Sequence, residues 1–134
     1  MDKVRGSIHS RKRACQMIDY TGLRYNNITP TDIDGCLDFG GEFFVFIEYK
    51  VSGVTMPDGQ RITYEHIIDS LSSSGKHAVC IVAEHETRPE EDIDAAQAYV
   101  VQYRWEQEWR SPSTCISVIR AIAILLSQYA PRYL

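Results

Sequence analysis

A chain of 134 residues with 14 basic residues, 18 acidic residues and a formal charge of −4 has the size of one globular domain, and such a domain buries roughly two thirds of the surface its unfolded chain exposes. No apolar run of ~18 residues is available to cross a bilayer, and the polar, basic first residues do not read as a secretory leader, so a cytoplasmic protein without membrane partners is expected. The acidic balance argues against nonspecific coating of nucleic acid, and the four scattered cysteines (Cys15, Cys36, Cys80, Cys115) lack a CxxC pair, which favours reduced core thiols over zinc ligands or disulfides.

The charge is unevenly spread. Six basic residues stand against two acids up to Thr29, so only this first segment offers a patch attractive to phosphate. Ser7 to Asp19 is expected to be helical, with Ser7 as cap and Ile8, Cys15 and Ile18 as buried positions. Gly22 and Asn26-Asn27 mark turns, and Pro30 pushes Thr29 towards extended geometry.

From Thr31 to Lys50 two extended runs meet at Gly40-Gly41, and the five apolar residues Phe43 to Ile47 end in Glu48-Tyr49-Lys50. A hairpin is expected, with a buried second strand closed by charge. If Phe39 pairs with Glu42 or Phe43, Asp34 falls beside Ile47 or Glu48, whereas Asp38 stays near the turn, several ~3.3 Å steps away. Asp32, Asp34, Cys36 and Asp38 share one face by strand alternation, and Lys50 projects to the side of Glu48. Two carboxylates can hold Mg²⁺, which completes its shell with water and substrate phosphate, and the neighbouring ammonium can orient a water or offset charge on phosphorus.

After turn residues at Met56-Pro57-Asp58-Gly59, the residues Tyr64, Ile67, Ile68 and Leu71 follow a helical stripe, with Gln60 one turn before Tyr64 and Ser72-Ser73-Ser74-Gly75 closing the run. Asp34 with Glu48-Tyr49-Lys50 resembles the D…(D/E)xK signature of the PD-(D/E)XK nuclease superfamily, and Gln60…Tyr64 is similar to the QxxxY motif of its RecB-like members. The resemblance covers roughly Ser7 to His85. It implies an α/β fold, a small restriction-endonuclease-like core with a central mixed β-sheet flanked by helices, within a single domain over 1–134. It also implies a Mg²⁺- or Mn²⁺-dependent deoxyribonuclease in which Asp34, Glu48 and the Tyr49 backbone carbonyl bind the metal and Lys50 positions the water. Gln60 and Tyr64 would be substrate-binding, and His9 is a candidate extra ligand, as RecB-like enzymes use a histidine. One departure stands out: no Glu precedes Glu42, although many members carry one on the helix before the hairpin.

His77 to Ala83 reads as a central strand ending in Glu84-His85, which could reach the cleft. Ala98 to Trp105 alternates like a half-exposed strand, with Trp109 returning in a short hairpin; its aromatics, with Arg104 and Arg110, suit packing better than base stacking. Ser111-Pro112 fits the start of a helix running through 113–129, apolar on more than one face between Ala121 and Leu126, and therefore a candidate homodimer contact. The function expected is hydrolysis of DNA phosphodiester bonds by a structure-selective or phage-type accessory endonuclease. The alternative is a non-catalytic module of nuclease fold that binds nucleic acid or a protein.

Overall fold

The computed structural model describes residues 11–134, which divide into two compact units, one up to Pro30 and one from Thr31 to Leu134. The α/β architecture belongs to the second. Its five-stranded mixed sheet has the order β1-β2-β3-β4-β5: β1 Gly35–Phe39, β2 Phe43–Val51, β3 His77–His85, β4 Tyr99–Trp105 and β5 Glu108–Arg110. Strands β2 and β3 run parallel and every other neighbouring pair is antiparallel. That one parallel pair needs a crossover, and helix α2, Asp58–Ser73, provides it.

Strand alternation divides the core in two. Phe43, Val45 and Ile47 of β2, with Val79 and Ile81 of β3, face helix α3, Val118–Tyr129. The intervening residues, Phe44 and Phe46 with Ala78, Cys80 and Val82, pack with Tyr64 and Ile68 of α2. Helix α2 therefore lies on the sheet face that carries Glu48, two residues beyond Phe46.

The hairpin register is the second of the two expected: Phe39 pairs with Phe43, and the ladder runs to Gly35 opposite Ile47. The loop is Gly40, Gly41 and Glu42. Both glycines have positive φ (66° and 72°), and a Cβ on Gly40 would run into the Tyr133 hydroxyl, so this turn needs glycine.

Two helices depart from expectation. In the amino-terminal unit the helix is α1, Arg11–Ala14, rather than a run reaching Asp19. Asp19 accepts hydrogen bonds from the Thr21 N–H and hydroxyl, a local side-chain turn that competes with helix. Cys15 and Ile18 are exposed, and Ser7 and Ile8 lie outside the described residues. Helix α3 starts at Val118, not after Pro112, with Ser117 as the cap that accepts from the Arg120 N–H. The residues before it are extended because β4 captures their backbone: Val100 N–H donates to Ile116 at 2.9 Å, and Val118 N–H to Ala98 at 2.8 Å. Of the four cysteines, all free, only Cys80 is buried; Cys36 and Cys115 sit on the surface, against the expectation of core thiols.

Candidate functional site

The site forms where β1 begins and β2 ends. One step beyond the Gly35–Ile47 pair, Asp34 lies opposite Glu48, and side chains at opposite positions share a face within contact distance. The two carboxyls are in hydrogen-bond contact. Asp34 Oδ2 also accepts from the Tyr49 N–H at 2.9 Å, so its carboxylate takes the place of a ladder partner at the strand end. Because the N–H and C=O of an antiparallel strand residue point the same way, the Tyr49 carbonyl opens on that edge too.

Glu48 is the one charged residue fully buried among the described residues, at 2 % exposure. Such burial is costly without partners. Tyr64, fully buried, donates its hydroxyl to Glu48 Oε1 at 2.9 Å, and Lys50 Nζ stands 3.5 Å from Oε2. Burial raises the Glu48 carboxyl above its ordinary value of 4.5, and the adjacent Asp34 carboxyl raises it further, while Tyr64 and Lys50 oppose the shift. The Tyr64 phenol is pushed up in turn, first by burial and then by Glu48.

Gln60, one turn earlier on α2, donates from Nε2 to the Asp32 carbonyl at 3.3 Å. Its Oε1 is buried without a hydrogen-bond partner. Gln60 and Tyr64 thus act from one helix face on both sides of the site: one holds the chain entering β1, the other holds Glu48. Tyr64, expected to be substrate-binding, is buried in this structure with its hydroxyl on Glu48. Its spacing from Gln60 was legible, but nothing in the sequence signalled that its hydroxyl meets Glu48.

No family model, curated protein or solved structure matches this chain.

Its chemistry must therefore be read from the donor set. Two touching carboxylates, beside a carbonyl edge and an unpartnered amide oxygen, suit a hard divalent cation. Among the described residues no cluster of three or more His, Cys, Asp or Glu gathers, so a cation here would draw on Asp34, Glu48, the Tyr49 carbonyl and water. His9 lies outside the described residues.

The other candidates fall away from the site. Asp38 pairs with Phe44, and its Oδ1 accepts from the Gly41 N–H at 2.7 Å, so it secures the turn. Asparagine can make the same bond, and Asp38→Asn should stay within about 0.5 kcal/mol of wild-type stability, as thermal unfolding would show. Glu84 lies next to Lys50 in the β2–β3 register, but its carboxylate receives the Gly53 N–H, and His85 Nδ1 receives that of Thr87. Arg104 grips Asp69 through two bonds of 3.1 and 2.6 Å, and Trp109 donates to Glu65 at 2.6 Å, which commits both to packing α2 on the sheet.

The raised Glu48 pKa predicts a pH signature. A carboxyl whose folded pKa lies above its unfolded value contributes stability below 4.5 and loses it as pH rises through the folded pKa. Glu48→Gln keeps an acceptor for Tyr64 and removes the buried charge. In EDTA at pH 8 it should raise Tm, by about 4 °C for each kcal/mol relieved, and the difference should vanish in acid. Thermal unfolding across pH 4–8 checks this, and equal melting at every pH would remove the carboxyl contact.

Proposed function

We propose that the protein is a metal-dependent nuclease that hydrolyses DNA phosphodiester bonds, in the manner of the PD-(D/E)XK superfamily that its motifs resemble. The observation that carries the reading is the meeting of Asp34, Glu48 and Lys50 at one strand end, with Glu48 buried and held by Tyr64. A buried carboxylate fixed in this way is expensive for structure alone and useful where a ligand has to be held in register. Mg²⁺ or Mn²⁺ supplies Lewis-acid polarisation of the phosphodiester when bound. The protein's own part is to hold the two carboxylates in contact, to orient Asp34 through the Tyr49 N–H, and to keep the Lys50 ammonium beside Glu48. From there it can direct a water and offset charge in the transition state.

The compact α/β unit from Thr31 to Leu134 leaves little room for a dedicated specificity element, which favours a structure-selective or phage-type accessory endonuclease over a sequence-specific one, by analogy. The four free cysteines agree with a reducing, cytoplasmic setting, and no helix among the described residues is long and apolar enough to cross a membrane. The decisive assay offers branched, single-stranded and duplex DNA with Mg²⁺, Mn²⁺ or EDTA. Cleavage should require the metal. Absence of metal-dependent cleavage on all three substrates would favour the second reading, a nuclease-fold module that binds without turnover, for which the acidic α/β unit speaks.

A homodimer through α3 belongs to the same proposal. Ile119 and Ile124 are about half exposed on this helix, Ile124 on the rim of a groove of ≈ 480 Å³ lined also by Tyr103, Trp105 and Leu125, and a two-fold contact would cover them. Light scattering at micromolar concentration should give twice the chain mass, and Ile124→Glu should return it to the monomer.

A further inference from the structure

We infer that Gln60 is a protein ligand of the metal at the candidate site, its side-chain amide oxygen adding to the carboxylates of Asp34 and Glu48 and the Tyr49 carbonyl. The inference rests on the nuclease reading for its cation and on a separate observation for its donor. Among the described residues, Gln60 Oε1 is the one buried side-chain oxygen without a hydrogen-bond partner. The amide cannot turn over to remedy this. Its Nε2 donates to the Asp32 carbonyl at 3.3 Å, and a carbonyl only accepts, so the nitrogen is fixed on that side and the oxygen is the end left over. An acceptor kept from water and given no donor is unfavourable, and native chains retain few of them.

The fold brings acceptors to this end of α2. Asp32, which Gln60 holds, stands two residues before Asp34, whose carboxyl touches that of Glu48; Glu48 is held in turn by Tyr64, one helical turn after Gln60. The donors of the site are committed elsewhere: the Tyr64 hydroxyl goes to Glu48 Oε1, and Lys50 Nζ stands against Glu48 Oε2. An amide oxygen left over beside two touching carboxylates is the environment of a hard cation, which takes carboxylate, amide and water oxygens alike. The charge is suited as well. Two carboxylates balance a divalent ion, and the amide adds a bond without a further negative charge to be held out of water.

The test measures Mn²⁺ binding to the full chain by calorimetry at pH 8 and counts the waters on the bound Mn²⁺ by pulsed EPR in D₂O, neither of which needs a substrate. Gln60→Ala should bind Mn²⁺ about tenfold or more weakly and show about one more water, in the place of the amide oxygen. Gln60→Glu keeps an oxygen there and discards the Nε2 bond to Asp32; it should bind at least as tightly as wild type, with the wild-type water count. Thr63→Val removes the Thr31–Thr63 hydroxyl contact that ties the same entry segment to α2, and should change neither quantity. An unchanged affinity or water count in Gln60→Ala would overturn the inference. So would a Gln60→Glu variant as weak as Gln60→Ala, or an equal loss in Thr63→Val, since either would make Gln60 a clamp on the chain entering β1 and nothing more. The nuclease reading survives those results, because wild type binds Mn²⁺ in all of them. A wild type that binds no Mn²⁺ would overturn both.

Discussion

Lys50→Ala should reduce DNA cleavage by about 10²–10³-fold or more, the cost typical of removing one preorganised group that offsets transition-state charge. The ammonium sits 3.5 Å from Glu48 Oε2 with its side chain 17 % exposed, so it is shielded enough for its charge to matter and open enough to meet a substrate. Two effects on metal affinity oppose each other. Losing a neighbouring cation favours Mn²⁺, whereas losing the charge that lowers the Glu48 pKa strengthens the competing proton. At pH 8 the proton is scarce, and affinity should be unchanged or slightly higher. In a binding module the same substitution removes at most one phosphate contact and flattens the salt dependence by about one unit. Titration calorimetry with Mn²⁺ beside a single-turnover cleavage rate distinguishes the two outcomes, and retained cleavage would remove Lys50 from the mechanism.

The hairpin was the most legible part of the chain because independent constraints agreed on it. Gly40-Gly41 demanded a turn, Phe43 to Ile47 demanded a buried strand, and the side-chain period of two then fixed which acid could stand opposite Glu48. The crossover helix was legible for the same reason: its stripe through Tyr64 and Ile68, both fully buried, has only one face to offer the sheet. What sequence could not give was decided by partners distant in the chain. Ser111-Pro112 has the chemistry of a helix start, but β4 takes the backbone at Ile116 and Val118 and delays the helix by more than a turn. Cys36 lies within the edge strand β1 and Cys115 in a loop, where apolar neighbours do not imply burial. The grip of Gln60 on Asp32 and of Tyr64 on Glu48 joins positions 28 and 16 residues apart. Spacing within one helix says that two side chains share a face and nothing about what that face meets.

Removing either carboxylate should abolish Mn²⁺ binding, since the site then keeps one protein carboxylate, too few to hold the cation with neutral oxygens and water alone. The two positions should differ in their effect on the fold. Asp34 is exposed; its loss frees the Tyr49 N–H at a strand end and removes a like charge from beside Glu48, so Asp34→Ala should melt close to wild type. Glu48→Ala strands the buried Tyr64 hydroxyl, a cost of about 1–3 kcal/mol, against which stands the relief of a desolvated charge; Glu48→Gln avoids the first and keeps the second. The pair Asp34→Ala and Glu48→Gln therefore tests the metal without the complication of folding. Wild-type affinity should itself rise with pH as the raised Glu48 carboxyl gives up its proton, and in Asp34→Ala that dependence should disappear together with the binding. Calorimetric titrations at pH 6 and pH 8 measure both. Unchanged affinity in the two variants would place any metal elsewhere and dissolve the assigned site.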